Sequence, residues 1–322
     1  MEFVKEYVCT ICNETFHKHV DFMTCPHCGE LGILEIVYDY ERMKNVITHS
    51  YFQHNTDYTM LRYQPMMSIQ KTNKSILQVG WTPLYRAKRL ESLLQMNTLY
   101  VKDEGLNPTA SLKDRASLVA CLKAIEEGAD TIGCSSTGNA ASSLAGNAAK
   151  LGLNSVIFVP KRAPLGKLTQ MIAYGATVVP IDGDYKATFT VSKEAIKTYG
   201  FYNRNAAINP HLVEGKKTVA LEIAEQLDFT PIDKVFVSVG DGCTIYGVYK
   251  GFYDLKQVGL IQEIPQIIGN ELTTKKFNHK EILKTIKTQS EGLNESFEKA
   301  LKDSTFTEKE FINQLKSTCE NY

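Results

Sequence analysis

Residues 131–160 read TIGCSSTGNAASSLAGNAAKLGLNSVIFVP. The stretch opens on a short β-prone run, TIGCSS (131–136), and turns through Ser-Thr-Gly-Asn. It continues as an alanine-rich helical segment (139–152) and ends in a second β-prone run, NSVIFVP (154–160). A strand, a helix and a strand in that order make a βαβ unit, whose two strands lie parallel. The pattern extends outward on both sides. LYVKDE (99–104), TVVPID (177–182) and KVFVSVG (234–240) are further β-rich runs, and helical periodicity covers 111–127, 165–175, 185–199, 213–228 and 245–257. Strands alternating with helices predict an α/β fold with a largely parallel sheet. No internal repeat of fixed period is present.

The chain has 322 residues, which at about 150 residues per domain suggests two domains and a small extra module. Hydrophobic residues make up 43%, enough for a sizeable core, and Lys+Arg and Asp+Glu both number 36. That balance gives no electrostatic reason to expect nucleic acid or an anionic membrane as partner. No apolar run approaches the length of a membrane span, and the opening MEFVKEYVCT lacks a signal-peptide core. A cytoplasmic protein is the expectation. Residues 38–80 are polar and aromatic without a sustained period, and read as a connector wrapping the main domain. From 271 to 322 the chain is rich in Lys, Glu, Asn, Ser and Thr. It offers helical segments such as HKEILKTI and EKEFINQL but no further strand, and reads as a polar helical tail.

Of eight cysteines, four cluster near the start: Cys9, Cys12, Cys25 and Cys28. They form two C-x2-C knuckles twelve residues apart within a unit spanning 1–37. Four thiolates can close a tetrahedral shell around Zn²⁺, and a complete shell leaves no open position, so the expected metal is structural. His17, His19 and His27 lie nearby in sequence and read as solvated or supporting groups. Cys121, Cys134, Cys243 and Cys319 are scattered, as unrelated thiols in a reducing compartment would be.

Three further segments point to one site. Asn107-Pro-Thr-Ala-Ser-Leu-Lys113-Asp-Arg115 follows a strand and opens a helix. There the helix dipole and free N–H groups disfavour an ammonium charge, and partial burial adds to the effect. Both favour a neutral amine able to form an imine. Ser111 is placed to cap that helix. Ser135-Ser-Thr-Gly-Asn139 opens the next helix with small hydroxyl residues suited to an oxygen anion. Val239-Gly240-Asp-Gly242-Cys-Thr244 is a glycine turn whose N–H groups can cradle a phosphate. Each alone also reads as an ordinary exposed lysine, a plain N-cap or a flexible turn. Together, at the carboxyl ends of parallel strands, they describe a reactive amine, an anion cap and a phosphate cradle in one crevice.

On these segments the sequence resembles the fold-type II pyridoxal-phosphate (PLP) enzymes of the tryptophan synthase β type, and among them the threonine synthases. The likeness runs from the cysteine unit to about residue 270. It is carried by LEIVYDYE (34–41), VGWTPLYRAKRL (79–90), LYVKDEGLNPTASLKDRAS (99–117), SSTGNAASSLAGNAAKLGL (135–153), GKLTQMIAYGATVV (166–179), FYNRNAAINPHLVEGKKTVALEIAEQL (201–227) and VGDGCTIYGVYKGF (239–252). The resemblance implies two open α/β subdomains, one of them a mobile unit at about 115–200, behind a zinc ribbon. It implies that Lys113 carries PLP as a Schiff base and later moves protons. Asn139 would bond the cofactor 3′-oxygen, and Gly240, Asp241, Gly242, Cys243 and Thr244 would wrap its phosphate. Ser135, Ser136, Thr137 and Gly138 would hold the substrate α-carboxylate. Asn205 is a candidate for a substrate phosphate, and Arg162 another by charge alone, although it reads better as a solvated loop cation. Arg115 reads as structural. The implied reaction converts O-phosphohomoserine and water to threonine and phosphate, and a homodimer is expected by analogy.

The sequence departs from the family pattern in three places. Ala110 stands where relatives commonly have Gly, Leu112 where they have Phe, and the segment from Asn270-Glu271 onward does not match the strands and helices that complete the pocket in relatives. Three readings follow: a threonine-synthase-like lyase, another fold-type II amino-acid enzyme such as a dehydratase or β-replacing synthase, or a catalytically silent relative acting in binding or regulation.

Overall fold

The structure is a computed structural model that describes residues 1–271 apart from positions 19, 207 and 241. Asp241 and His19, both singled out above, and the segment 272–322 therefore lie outside the described residues.

Three strands form the N-terminal unit: β1 (Val4–Cys9), β2 (Thr15–His17) and β3 (Leu34–Tyr38). They pair antiparallel in the order β2-β1-β3. Residues alternate along β3, with Leu34, Ile36 and Tyr38 buried, as a half-buried strand requires. The stretch 38–80 is more than a connector. It holds α1 (Tyr40–Met43), α2 (His49–His54) and a 3₁₀ turn at Met60–Met66, and its Met43, Ile47, Phe52, Tyr63 and Met66 are buried in the core. Its apolar residues sit on short helical pieces with different axes, so no single period survives in the sequence.

A short antiparallel pair follows, β4 (Leu84–Arg86) with β5 (Tyr100–Lys102), joined through α3 (Lys88–Leu94). The expected strand at 99–104 thus exists in shortened form. It pairs antiparallel with β4, where a parallel neighbour was expected. Next come α4 (Lys113–Glu126), β6 (Thr131–Ser135), α5 (Asn139–Leu151), β7 (Asn154–Pro160), α6 (Leu165–Ala173), β8 (Thr177–Ile181), α7 (Tyr185–Tyr199) and β9 (Tyr202–Asn203). The four strands form one parallel sheet in the order β8-β7-β6-β9. Helix ends follow local chemistry. Asp184 accepts from the Ala187 N–H at the start of α7, and Gly200 at its end takes the left-handed conformation.

The chain then forms α8 (His211–Gln226), β10 (Lys234–Val239), α9 (Cys243–Gln257) and β11 (Gln266–Glu271), with β10 and β11 parallel. Three helices, α4, α8 and α9, pack side by side at unusually short range. A Cβ on Gly215 would lie 2.3 Å from the Arg115 carbonyl oxygen, and one on Gly251 would lie 2.5 Å from that of Lys217. Only glycine permits those approaches, so α8 is locked to α4 on one side and to α9 on the other. One apolar core joins the β1–β3 unit to α8 and α9, and a second joins α4 to the parallel sheet and α5. Among the described residues no helix is long and apolar enough to cross a membrane.

Candidate active site

Lys113 is the first residue of α4 and is half-buried. The loop before it is fixed by side-chain hydrogen bonds. Asn107 is buried and its Oδ1 accepts from the Gly80 N–H at 3.0 Å. Asp114 accepts from both the N–H and the Oγ1 of Thr109, at 2.8 and 2.9 Å, and from Asn147 Nδ2 at 2.9 Å. Burial still raises the Asp114 carboxyl above its ordinary value, against the pull of those donors. The Ser111 hydroxyl accepts from the Lys113 N–H at 3.1 Å, which satisfies one of the free donors of the first turn. Ala110 sits at φ +59°, in the left-handed region. Glycine is more at ease than alanine in that region, so Ala110 stores strain next to Lys113.

Arg115 is fully buried. Its guanidinium donates to Glu104 at 2.6 and 2.7 Å, to Glu222 at 2.7 Å and to Thr218 at 2.9 Å. Lys102 adds a second cation 2.8 Å from Glu222. Burial alone would raise the Glu222 and Glu104 carboxyls, but Arg115 holds both below their usual range. These groups bind α4 to α8 immediately behind the lysine.

Ser135 ends β6, and Ser136, Thr137 and Gly138 lead into α5, which begins at Asn139. Ser136 Oγ accepts from the Gly138 N–H at 3.2 Å. On the other side, Gly242 takes φ +81° just before α9, which opens with Cys243 and Thr244. A Cβ placed on Gly138, Gly240 or Gly242 would meet nothing within 4 Å, so space lies beside all three glycines.

The expected site residues meet through a short segment, 204–206. Arg204, buried, donates from both Nε and Nη2 to Ser117 Oγ at 3.2 Å. Ser117 lies one turn beyond Lys113 on the same face of α4. Asn205 Oδ1 accepts from the Ser135 N–H at 2.9 Å. Ala206 O accepts from Cys243 Sγ at 3.6 Å. Three successive residues therefore tie the lysine helix, the serine loop and the glycine turn to one another. Arg204 was not legible as part of the site, since a lone arginine in an aperiodic stretch carries no local signal. Lys167 was also missed. It projects from α6 to donate to Asn139 Oδ1 at 2.8 Å, whereas Arg162 lies exposed after β7. The GKLTQ context of Lys167 reads only as a helix start.

Two polar atoms in this hub are buried and make no hydrogen bond with the described residues: Ser135 Oγ and Asn205 Nδ2. Buried polar atoms are nearly always paired, so this pair is open to an atom of a ligand or an ordered water.

In the N-terminal unit the four sulfurs of Cys9, Cys12, Cys25 and Cys28 lie within 4.8 Å of one another. Cys9 and Cys25 are buried and Cys12 is exposed. The Ile11 N–H points to Cys9 Sγ at 3.4 Å. His27 is exposed and pairs with Glu14 at 3.3 Å, and His17 is exposed on β2; the ligand-type group among the described residues consists of the four sulfurs.

Residues 76–310 match the family model described as "Pyridoxal-phosphate dependent enzyme". The chain belongs to this family. It is 37% identical over 263 residues to the threonine synthase of Methanocaldococcus jannaschii and 34% over 262 residues to that of Methanosarcina acetivorans. Each match covers 81% of this chain, and 64% and 63% of those relatives. The chain thus spans somewhat less than two thirds of the curated relatives' length. Solved structures of the PLP-enzyme fold superpose on it. The processed form of threonine deaminase isoform 2 from Solanum lycopersicum matches with a TM-score of 0.52 at 27% identity, over 59% of this chain and 50% of that one. Serine racemase from Dictyostelium discoideum matches with a TM-score of 0.52 at 25% identity, over 59% of each chain. The α/β architecture of fold-type II PLP enzymes is therefore that of this chain. Its residues fit the family's cofactor: a lysine on a helix N-terminus, an open left-handed glycine turn, and unpaired buried donors between them.

Proposed function

We propose that the chain is a PLP-dependent carbon–oxygen lyase of the threonine synthase kind, taking O-phosphohomoserine and water to threonine and phosphate. The observation that carries this reading is the 204–206 hub, which joins the Lys113 helix at Ser117, the Ser135 loop, and Cys243 just after the Gly242 turn. The identity to threonine synthases across most of the chain supplies the substrate class. Lys113 Nζ is the group that bonds the cofactor and then moves protons at the substrate Cα and Cβ. Gly240, Gly242, Cys243 and Thr244 present backbone N–H groups at the start of α9, where the helix dipole favours the cofactor phosphate. Asn139 is placed for the cofactor ring oxygen. Ser135 to Gly138 receive the substrate carboxylate, and Asn205 with Lys167 supplies donors and charge for the substrate phosphate. Bound PLP supplies an aldehyde for imine formation and an electron sink. In the net reaction Cβ gives up a proton, the Cγ–O bond breaks and phosphate departs, Cγ gains a proton to become the methyl group, and water adds its hydroxyl at Cβ and releases its other proton. The four cysteines hold a structural Zn²⁺.

A second reading, an amino-acid dehydratase, is favoured by the structural match to a threonine deaminase. An assay for phosphate release from O-phosphohomoserine, run beside keto-acid release from threonine and serine, separates the two. The first reading expects phosphate and threonine in equal amounts, abolished by Lys113→Ala. Keto acid without phosphate would overturn it in favour of the second.

A further inference from the structure

The N-terminal cysteine unit is bound to the glycine-turn helix by more than apolar packing. Cys9 pairs with Leu34 in the β1–β3 ladder, and the Cys25 N–H donates to Gly32 O at 2.8 Å. The cysteine loops thus hold β3 at its entry. Along β3 and just beyond it lies a buried set of ionisable groups shared with α8 and α9. Lys250 donates to Ile36 O at 2.8 Å and lies 3.6 Å from Glu35 and 4.0 Å from Glu214. The Tyr38 hydroxyl donates to Glu214, and Lys217 Nζ sits 4.2 Å from the Tyr38 ring centre. Lys217 also pairs with Asp254 at 2.6 Å, and the Tyr40 hydroxyl donates to the other Asp254 oxygen at 2.6 Å. At the rim the Tyr246 hydroxyl donates to Glu35 at 2.7 Å. Lys217 and Asp254 are fully buried, and Lys250, Glu214 and Tyr38 nearly so.

None of these groups belongs to the candidate active site. Their partners are divided between two parts of the chain: β3 supplies the Ile36 carbonyl, the Tyr38 phenol and the Glu35 carboxylate, and α8 and α9 supply the buried charges. A buried charge without its partners is strongly unfavourable. Lys217 keeps Glu214 at 2.5 Å and Asp254 at 2.6 Å within the helices, whereas Lys250 takes its nearest partners, Ile36 O and Glu35, from β3 and loses them if β3 moves. Lys250 stands about two turns along α9 from Cys243, on a helix locked to α8 at Gly251. A shift at Lys250 moves α9 as a rigid piece, its N-terminal turn included.

We infer that the metal-loaded cysteine unit sets cofactor affinity at a distance: by fixing β3 it holds Lys250 and the α9 N-terminus in phosphate-binding register. Lys250 and Tyr38 are positioning residues, since they touch neither cofactor nor substrate. The inference rests on the proposed zinc and PLP sites. Zinc binding in such units is itself folding free energy, so losing the metal loosens the loops that hold β3.

The test uses the full chain. Zinc content is measured, the metal is removed with a chelator under reducing conditions, and the PLP dissociation constant is titrated by visible absorbance while circular dichroism follows the fold. Stripping should weaken PLP binding by roughly tenfold or more, and added Zn²⁺ should restore it. Lys250→Met at full zinc content should show a comparable loss and respond little to stripping. Tyr38→Phe should give a smaller loss. An unchanged dissociation constant after stripping overturns the inference, as does a Lys250→Met effect that simply adds to that of metal loss. Should the stripped chain lose its helical signal, the two zinc-replete variants decide: PLP affinity equal to wild type in both overturns the inference. A chain that binds no zinc removes the metal reading beneath it, and one with no PLP band removes the cofactor reading. Both failures are distinct from bound zinc without effect.

Discussion

The lysine loop and the serine loop differ in how their buried polar groups are met. Around Lys113 the charged groups and the donors have partners within the protein: Asp114 on Thr109 and Asn147, Arg115 on Glu104, Glu222 and Thr218, Asn107 on Gly80; a single acceptor there, Asn147 Oδ1, stays buried without a hydrogen bond to the described residues. Around Ser135 the backbone is met, by Asn205, but the Ser135 hydroxyl and the Asn205 amide nitrogen find no partner among the described residues. The first region is scaffold that fixes the helix start carrying Lys113, the amine proposed to bond the cofactor. The second keeps donors in reserve for another molecule. The same residue types thus serve opposite ends, and the distinction lies in satisfaction and not in burial.

The comparison is most easily broken at Arg115. Arg115→Met leaves Glu104 without its paired cation and Glu222 with Lys102 alone, and should cost about 3–5 kcal/mol in equilibrium unfolding. A loss below about 1 kcal/mol would show that the network is not what secures α4 to α8.

The pH dependence sharpens the same point. The Glu222 and Glu104 carboxyls sit below their ordinary value of 4.5 in the folded chain. The stability they contribute is present above that value and lost as pH falls through their lower folded values. Acid denaturation followed by circular dichroism should therefore begin below the ordinary carboxyl range. Arg115→Met should move that onset to higher pH, and an identical profile in both proteins would contradict the assignment.

Ser135→Ala probes the other region and should behave in the opposite way. Stability should stay within about 0.5 kcal/mol of wild type, because the hydroxyl lost had no partner, while KM for the amino-acid substrate rises roughly tenfold. A large stability loss with unchanged KM would make Ser135 part of the scaffold.

The smallest effect is expected at Ala110→Gly. Relief of the left-handed strain should raise stability by about 1 kcal/mol, read as an increase in Tm.

Much of this could be read from the residues. The strand at 154–160 and the helix at 185–199 occur where periodicity places them, because both are long enough to show their period. The lysine, serine and glycine-turn motifs each open a helix as expected. What escaped has physical reasons. β4 and β9 have three and two residues, too few to alternate. β11, QIIGNE, is half polar and gains its strand character from β10 alongside it. Arg204 and Lys167 belong to the site through tertiary contacts, to Ser117 and to Asn139, which no local pattern encodes.

The most direct measurement is reductive trapping. The purified chain is incubated with PLP, reduced with borohydride, digested and mapped by mass spectrometry. The account predicts one pyridoxyl-modified peptide carrying the label on Lys113, with the visible absorbance band absent from Lys113→Ala. A label on another lysine, or an unlabelled chain, would contradict it.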